Sequence, residues 1–174
     1  SCFLKERLSV MATEFNPQRE KSRLESITLD VLEQSKAAGA DACEVGASAS
    51  LGLEVTARLG QPEKLEMTRD QSISVTAFVG QSRGTASTTD LSADAIRKTL
   101  EAAVAIARVT APDPAATLAT AEQIIQDIPD LELDHPWNLT PEAALKLAIE
   151  VEAAGLSQDK RLTNSDGGSV SSTR

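Results

Sequence analysis

Residues 41–90 alternate apolar and polar side chains with a period of two, and this constrains the fold more than any other feature of the chain. Cys43, Val45 and Ala47 fall on one side of a first candidate strand. Leu51, Leu53, Val55, Ala57 and Leu59 oppose Glu54, Thr56 and Arg58 on a second. Leu65 and Met67 oppose Lys64, Glu66 and Thr68 on a third, and Ile73, Val75, Ala77 and Val79 oppose Ser72, Ser74 and Thr76 on a fourth. A fifth stretch, 83–89, is small and hydroxyl-rich. Successive side chains of a strand point to opposite faces, so this pattern describes a sheet that is apolar on one face and must bury it. Turn residues at 48–50, 60–62, 70–71 and 80–82 separate the runs. Connections this short join antiparallel neighbours, because a parallel crossover needs about a dozen or more residues. The expectation is an antiparallel meander of about five strands.

The flanking segments supply the cover. Leu24, Ile27, Val31 and Leu32 recur at helical spacing, and Gly39 stands where a helix ends, giving a first helix over 20–38. Ser92 is an N-cap with Asp94 in the first turn, and Ile96, Leu100, Ala103, Val104 and Ala107 form an apolar stripe. Pro112 and Pro114 end that helix. Thr140, Pro141 and Glu142 start a third, with Leu145, Ile149 and Leu156 on its face. Between them, 115–125 allows a short helix and 128–133 reads as an extended connector. The fold class is therefore α+β, with two to three helices packed on one face of the sheet.

At 174 residues this is one domain with tails: a flexible tail over 1–19, the domain over 20–159, and over 160–174 a strand, a Gly167-Gly168 turn and the start of a returning strand. A hairpin that stops there reads as part of something longer. Met11-Ala12 offers an internal start, with 1–10 as an upstream extension. Only 2% of residues are aromatic, so the core is built from aliphatic side chains. The net charge of −9 speaks against nucleic acid and anionic membranes as partners, since no basic stripe is present. Cys2 and Cys43 make no disulfide framework, which fits a cytoplasmic location. No run of about eighteen or more apolar residues exists to span a membrane.

Few residues invite chemistry. His135 is the sole histidine, so it has no second imidazole for a metal site and reads as a loop residue. Asp130, Glu132 and Asp134 would share one side of an extended segment and could attract a hard cation, but a solvated acidic face explains them as well. Glu44, Glu54 and Glu66 lie on the polar sides of three strands, with Arg58 and Arg69 as expected cross-strand partners. The hydroxyls of 84–92 lack a base nearby in sequence. Gly167-Gly168 lacks the spacing of a phosphate cradle, and Trp137 reads as a packing anchor. No catalytic, metal-binding or cofactor-binding residue is assigned.

Five segments, in this order, carry a family resemblance: Ala38-Gly39-Ala40-Asp41-Ala42-Cys43-Glu44-Val45, Gly84-Thr85-Ala86-Ser87-Thr88-Thr89-Asp90-Leu91-Ser92, Thr110-Ala111-Pro112-Asp113-Pro114, Pro129-Asp130-Leu131 and Asp159-Lys160-Arg161-Leu162-Thr163-Asn164. Together they resemble the amino-terminal domain of the PmbA/TldD family of zinc metallopeptidases, of the PmbA (TldE) type. The resemblance implies a heterodimer with a TldD-type subunit, acting in cytosolic proteolysis and peptide maturation, including leader removal and antitoxin degradation. It places zinc in the TldD-type partner, on a His-Glu-x-x-x-His motif that this chain lacks. It assigns this chain a non-catalytic role in the wall or guide of a proteolytic chamber, inactive alone. The hydroxyl-rich run 85–89 is the candidate edge for a docking peptide strand. The alternative is a free-standing module that binds peptides or partner strands and has no protease role.

Overall fold

The computed structural model describes residues 15–125, 127–133 and 135–174. Its elements are α1 (Pro17–Ala38), β1 (Ala42–Arg58), β2 (Gln61–Val79), β3 (Ser82–Thr88), α2 (Ala93–Val109), α3 (Pro141–Leu156) and β4 (Gly168–Thr173). The fold is α+β, with a four-stranded antiparallel sheet in the order β3-β2-β1-β4. This corrects the five-strand meander. Residues 48–50 and 70–71 are not turns: the first two expected strands are one strand, β1, and the next two are β2. The physical reason lies in the parity of the pattern. The apolar residues of 43–57 all fall on odd numbers, and so do those of 65–79 apart from Phe78, with Arg69 and Gln71 as polar odd positions between; a strand running straight through keeps the odd set on one face. The real turns hold glycines at positive φ, Gly60 at 71° and Gly80 at 58°.

The end of the chain also differs from expectation. Residues 160–167 contain no strand, and β4 pairs with β1 instead, from Ala57↔Gly168 to Gly52↔Thr173. Three hairpin-linked strands with a fourth returning beside the first make the Greek-key order. The expected helix over 115–125 is absent; Gln123 N–H bonds Thr120 O in an isolated turn. Its residues are nearly all exposed, so a helix there would have no apolar face to bury, and a short helix without tertiary packing is not stable.

The chain forms two compact units, and β1 and β2 each contribute residues to both. In one, Asn16–Ala49 and Asp70–Asp130, the core is Val31, Ala40, Ile73, Val75, Ala77, Leu100, Ala103 and Val104. Cys43, Val45 and Ala47 of β1 pack against it. The helices around this core start and stop as their termini dictate. Asn16 Oδ1 accepts from Arg19 N–H at 3.1 Å with Pro17 beside it, so α1 begins earlier than the expected residue 20. Gly39, at φ 97°, ends it. Ser92 Oγ caps α2 through Ala95 N–H. The helix α2 lies tight against β3, because a Cβ on Gly84 would overlap Ala103 O and Ala107 N.

The other unit comprises, among the described residues, Phe15, Ser50–Arg69 and Leu131–Arg174. Here α3 packs on β4. Val55, Ala57, Ala144 and Ala148 are buried, and a Cβ on Gly168 would overlap Ala148 O. The deepest line along α3 is Ala144, Ala148 and Glu152, with Leu145, Ile149 and Leu156 half-buried beside it. Thr140 caps this helix through Ala143 N–H at 3.2 Å, with Pro141 at its first position.

Two stability predictions follow from this packing. Gly84→Ala forces α2 off the sheet and lowers the urea-unfolding free energy by roughly 1–3 kcal/mol, whereas Gly46→Ala, with open space around it, leaves the midpoint unchanged or slightly raised. Removing the α1 cap by Asn16→Ala costs about 1 kcal/mol in the same measurement.

Candidate functional site

The even-numbered residues of β1 and β2, with the residues registered opposite them on β4 and β3, build a hydroxyl-rich polar face. In the unit holding α1 and α2, Ser48 and Ser72 hydroxyls meet at 2.9 Å, and so do those of Thr76 and Thr85, which are register partners across β2 and β3. Gln71 Nε2 donates to Thr89 O at 3.3 Å, and Asp90 Oδ1 accepts from Ser92 N–H at the start of α2. The run 84–92 therefore bonds to neighbouring hydroxyls, side-chain amides and backbone groups, and no base that would activate a nucleophile is among those partners. β3 stands at the end of the strand order, so its outer side is an edge.

In the other unit, Thr56 and Ser169 hydroxyls meet at 2.9 Å across β1 and β4. Lys64 stands between two carboxylates, 3.2 Å from Glu54 and 2.7 Å from Glu66. Hydrogen bonds to Glu66 and then Glu54 raise its pKa above the ordinary lysine value. Ion pairing was the expected fate of Glu54 and Glu66, but the partner is Lys64 rather than Arg58. Arg58 reaches Glu63 at 3.7 Å and donates to Ser165 O and Asn164 Oδ1. Lys64 and Glu66 stand two residues apart on the even-numbered side of β2, where the Lys64 ammonium reaches both carboxylates.

The remaining candidates separate. His135 is exposed in the connector, and Asp134 and Cys2 lie outside the described residues. Glu132 has φ 50°, so the backbone is not extended there and does not line up Asp130 and Glu132 as a strand would. Among the described residues, no group of three His, Cys, Asp or Glu side chains is placed to hold a metal ion. Cys43 is half-buried, and its thiol pKa is raised mainly by burial and then by the Glu44 charge. Trp137 is half-exposed, and its carbonyl accepts from Arg174 at 2.6 Å. Gly167 and Gly168 serve packing, since a Cβ on Gly167 would come within 2.5 Å of Ala57 O. Among the described residues, no helix is long and apolar enough to cross a membrane.

One residue was missed in the sequence. Glu152 is only 5% exposed, and its carboxylate accepts from Leu59 N–H at 2.8 Å, Gly60 N–H at 2.9 Å and the Ser165 hydroxyl. These bonds, with Ser165 foremost, hold its pKa below the ordinary carboxylate value. The available signal was a charged residue at a core position of α3, one turn beyond Ala148.

Known proteins share this sequence and fold. A family model described as PmbA/TldA metallopeptidase domain 1 matches residues 43–107. The chain is 43% identical over 132 residues to Metalloprotease PmbA of Escherichia coli O157:H7, a match covering 76% of this chain and 29% of that protein. It is 42% identical over 141 residues to a Metalloprotease PmbA homolog of Haemophilus influenzae, covering 81% of this chain and 31% of that protein. The chain thus spans less than a third of the length of these relatives. The fold is similar to that of a solved protein from Bacteroides thetaiotaomicron, with TM-score 0.73 and 19% identity over 86% of this chain and 38% of that one. It is also similar to TldE from Thermococcus kodakarensis, with TM-score 0.66 and 14% identity over 84% of this chain and 33% of that one. On sequence identity across three quarters of its length, and with a matching fold, the chain belongs to the PmbA/TldD metallopeptidase family.

Proposed function

We propose that this chain acts as the N-terminal, non-catalytic domain of a PmbA/TldE-type subunit, paired in the cytoplasm with a TldD-type subunit that holds the zinc. In this reading it supplies no catalytic, metal-binding or cofactor-binding residue. Its task is to line and guide, within proteolysis that matures peptides by leader removal and degrades antitoxins. The observation that carries the reading is the 43% identity to a protein named Metalloprotease PmbA. The polar sheet face supports it: hydroxyls from β1, β2 and β3 offer donors and acceptors without a fixed charge pattern, which suits peptides of varied sequence. The β3 edge adds a means of holding an extended chain through backbone hydrogen bonds.

The full-length protein is expected to co-purify with a zinc-bearing second subunit. This chain alone is expected to cleave no peptide, with or without added zinc. Cleavage by the isolated chain that depends on zinc and survives repurification would overturn the division of labour. A proline scan over 85–89 in the assembled full-length complex tests the edge. Proline on an outward-facing N–H leaves the β2–β3 ladder intact but blocks strand addition, so peptide cleavage should fall. Unchanged cleavage in every folded variant removes the docking role.

A further inference from the structure

Among the described residues, Glu152 is the one buried side chain that carries a charge. It joins three segments: its own helix α3, the β1–β2 turn at Leu59 and Gly60, and the loop at Ser165 that leads into β4. The turn it holds is unusual. Leu59 has φ 48° and Gly60 has φ 71°. That left-handed pair is the one a tight hairpin prefers, yet its first position favours Asn, Asp or Gly. A leucine there pays a steric penalty between Cβ and the backbone. Its side chain gains little in return, being 56% exposed.

We propose that Glu152 is a proton-operated clamp on the β1–β2 turn, and that its carboxylate is what keeps Leu59 in the left-handed conformation. Each carboxylate oxygen faces a backbone N–H, Oε1 that of Leu59 and Oε2 that of Gly60. Neither N–H can turn into an acceptor. Oε1 also meets the Ser165 hydroxyl, so a proton there displaces one of its two bonds, and a proton on Oε2 removes the charge that strengthens both backbone bonds. Ser165, whose hydroxyl can rotate, also receives Arg58 Nε on its carbonyl and accepts Gly167 N–H on its hydroxyl, so loosening Glu152 reaches the approach to β4. The charges around the clamp favour the ionised form. Arg58 of β1 acts on it directly, with Glu63 of β2 paired to that guanidinium. On α3 itself, Lys146 and Glu150 pair with each other on the exposed side, and beyond the helix Asp159 pairs with Arg161. The direction of the pH effect follows. The Glu152 pKa is lowered on folding from its ordinary value of 4.5, so its stabilisation is complete above that value and is lost as pH falls through the folded one.

The test is hydrogen exchange of the full chain by NMR, with protection at each amide expressed relative to an unstructured peptide at the same pH. As pH falls from 7 through the titration of Glu152, followed on its own side-chain carboxyl resonance, protection at Leu59 and Gly60 should fall while that at Val75 and Ala77, in the other unit, persists. Glu152→Gln places an amide NH₂ against one of the two N–H donors and should reproduce the acid state at pH 7, with about a tenfold or greater loss of protection at the turn. Adding Leu59→Gly, which adopts this φ without penalty, should restore most of it. Turn protection that does not change with pH, or that is untouched by Glu152→Gln, overturns the clamp, as does loss of Val75 and Ala77 protection in step with the turn. A Leu59→Gly/Glu152→Gln protein as labile at the turn as Glu152→Gln overturns the role assigned to Leu59. If Glu152→Gln does not fold, the pH series on the unaltered chain decides.

Discussion

The structure depends on backbone meeting backbone where a helix crosses an edge strand. In one unit, Gly84 of β3 touches the backbone of α2 at Ala103 and Ala107; in the other, Gly168 of β4 touches α3 at Ala148. Both contacts pair a glycine with alanines, and both are fully buried. A chain with only 2% aromatic residues has few large side chains to fill space between layers. Bringing the layers together removes the space instead, and preserves the packing density that dispersion requires. The same device appears once in each unit, on an edge strand each time, so each unit closes its own core.

This packing leaves the opposite face of the sheet for polar side chains. Ser48, Ser72, Thr76 and Thr85 bond in pairs on one unit, while on the other Thr56 pairs with Ser169 and Lys64 with two carboxylates. Hydroxyl pairs across strands are individually weak, and so are exposed ion pairs. In the unit holding β3, their value is the surface they make: wettable, and bounded by the β3 edge. A surface of this kind suits the guide role proposed for a subunit whose relatives are named metalloproteases.

The buried carboxylate of Glu152 runs against the economy of the rest of the core. Burying a charge is costly unless it is hydrogen-bonded, and here two backbone donors and a hydroxyl meet it. The arrangement ties the tip of the long β1–β2 hairpin to α3, and that hairpin carries the strands on which both units are built.

The sequence by itself determined the class of the fold, the face of the sheet that is buried, and most helix ends, because these follow from local rules. Odd-numbered apolar residues select a face, Ser92 and Thr140 satisfy the first N–H groups of their helices, and Gly39 accepts a left-handed φ. The continuity of β1 was legible in a parity unbroken from Cys43 to Ala57, although the serines at 48 and 50 resemble turn residues; in β2, Arg69 and Gln71 interrupt the apolar odd positions and, with Asp70, hide the continuity. Only the tertiary structure decided that β4 adds to β1, that Lys64 gathers Glu54 and Glu66, and that Glu152 reaches back 92 positions to Gly60. Those choices set residues far apart in the chain against one another, and no local periodicity encodes which distant donors will surround a given carboxylate.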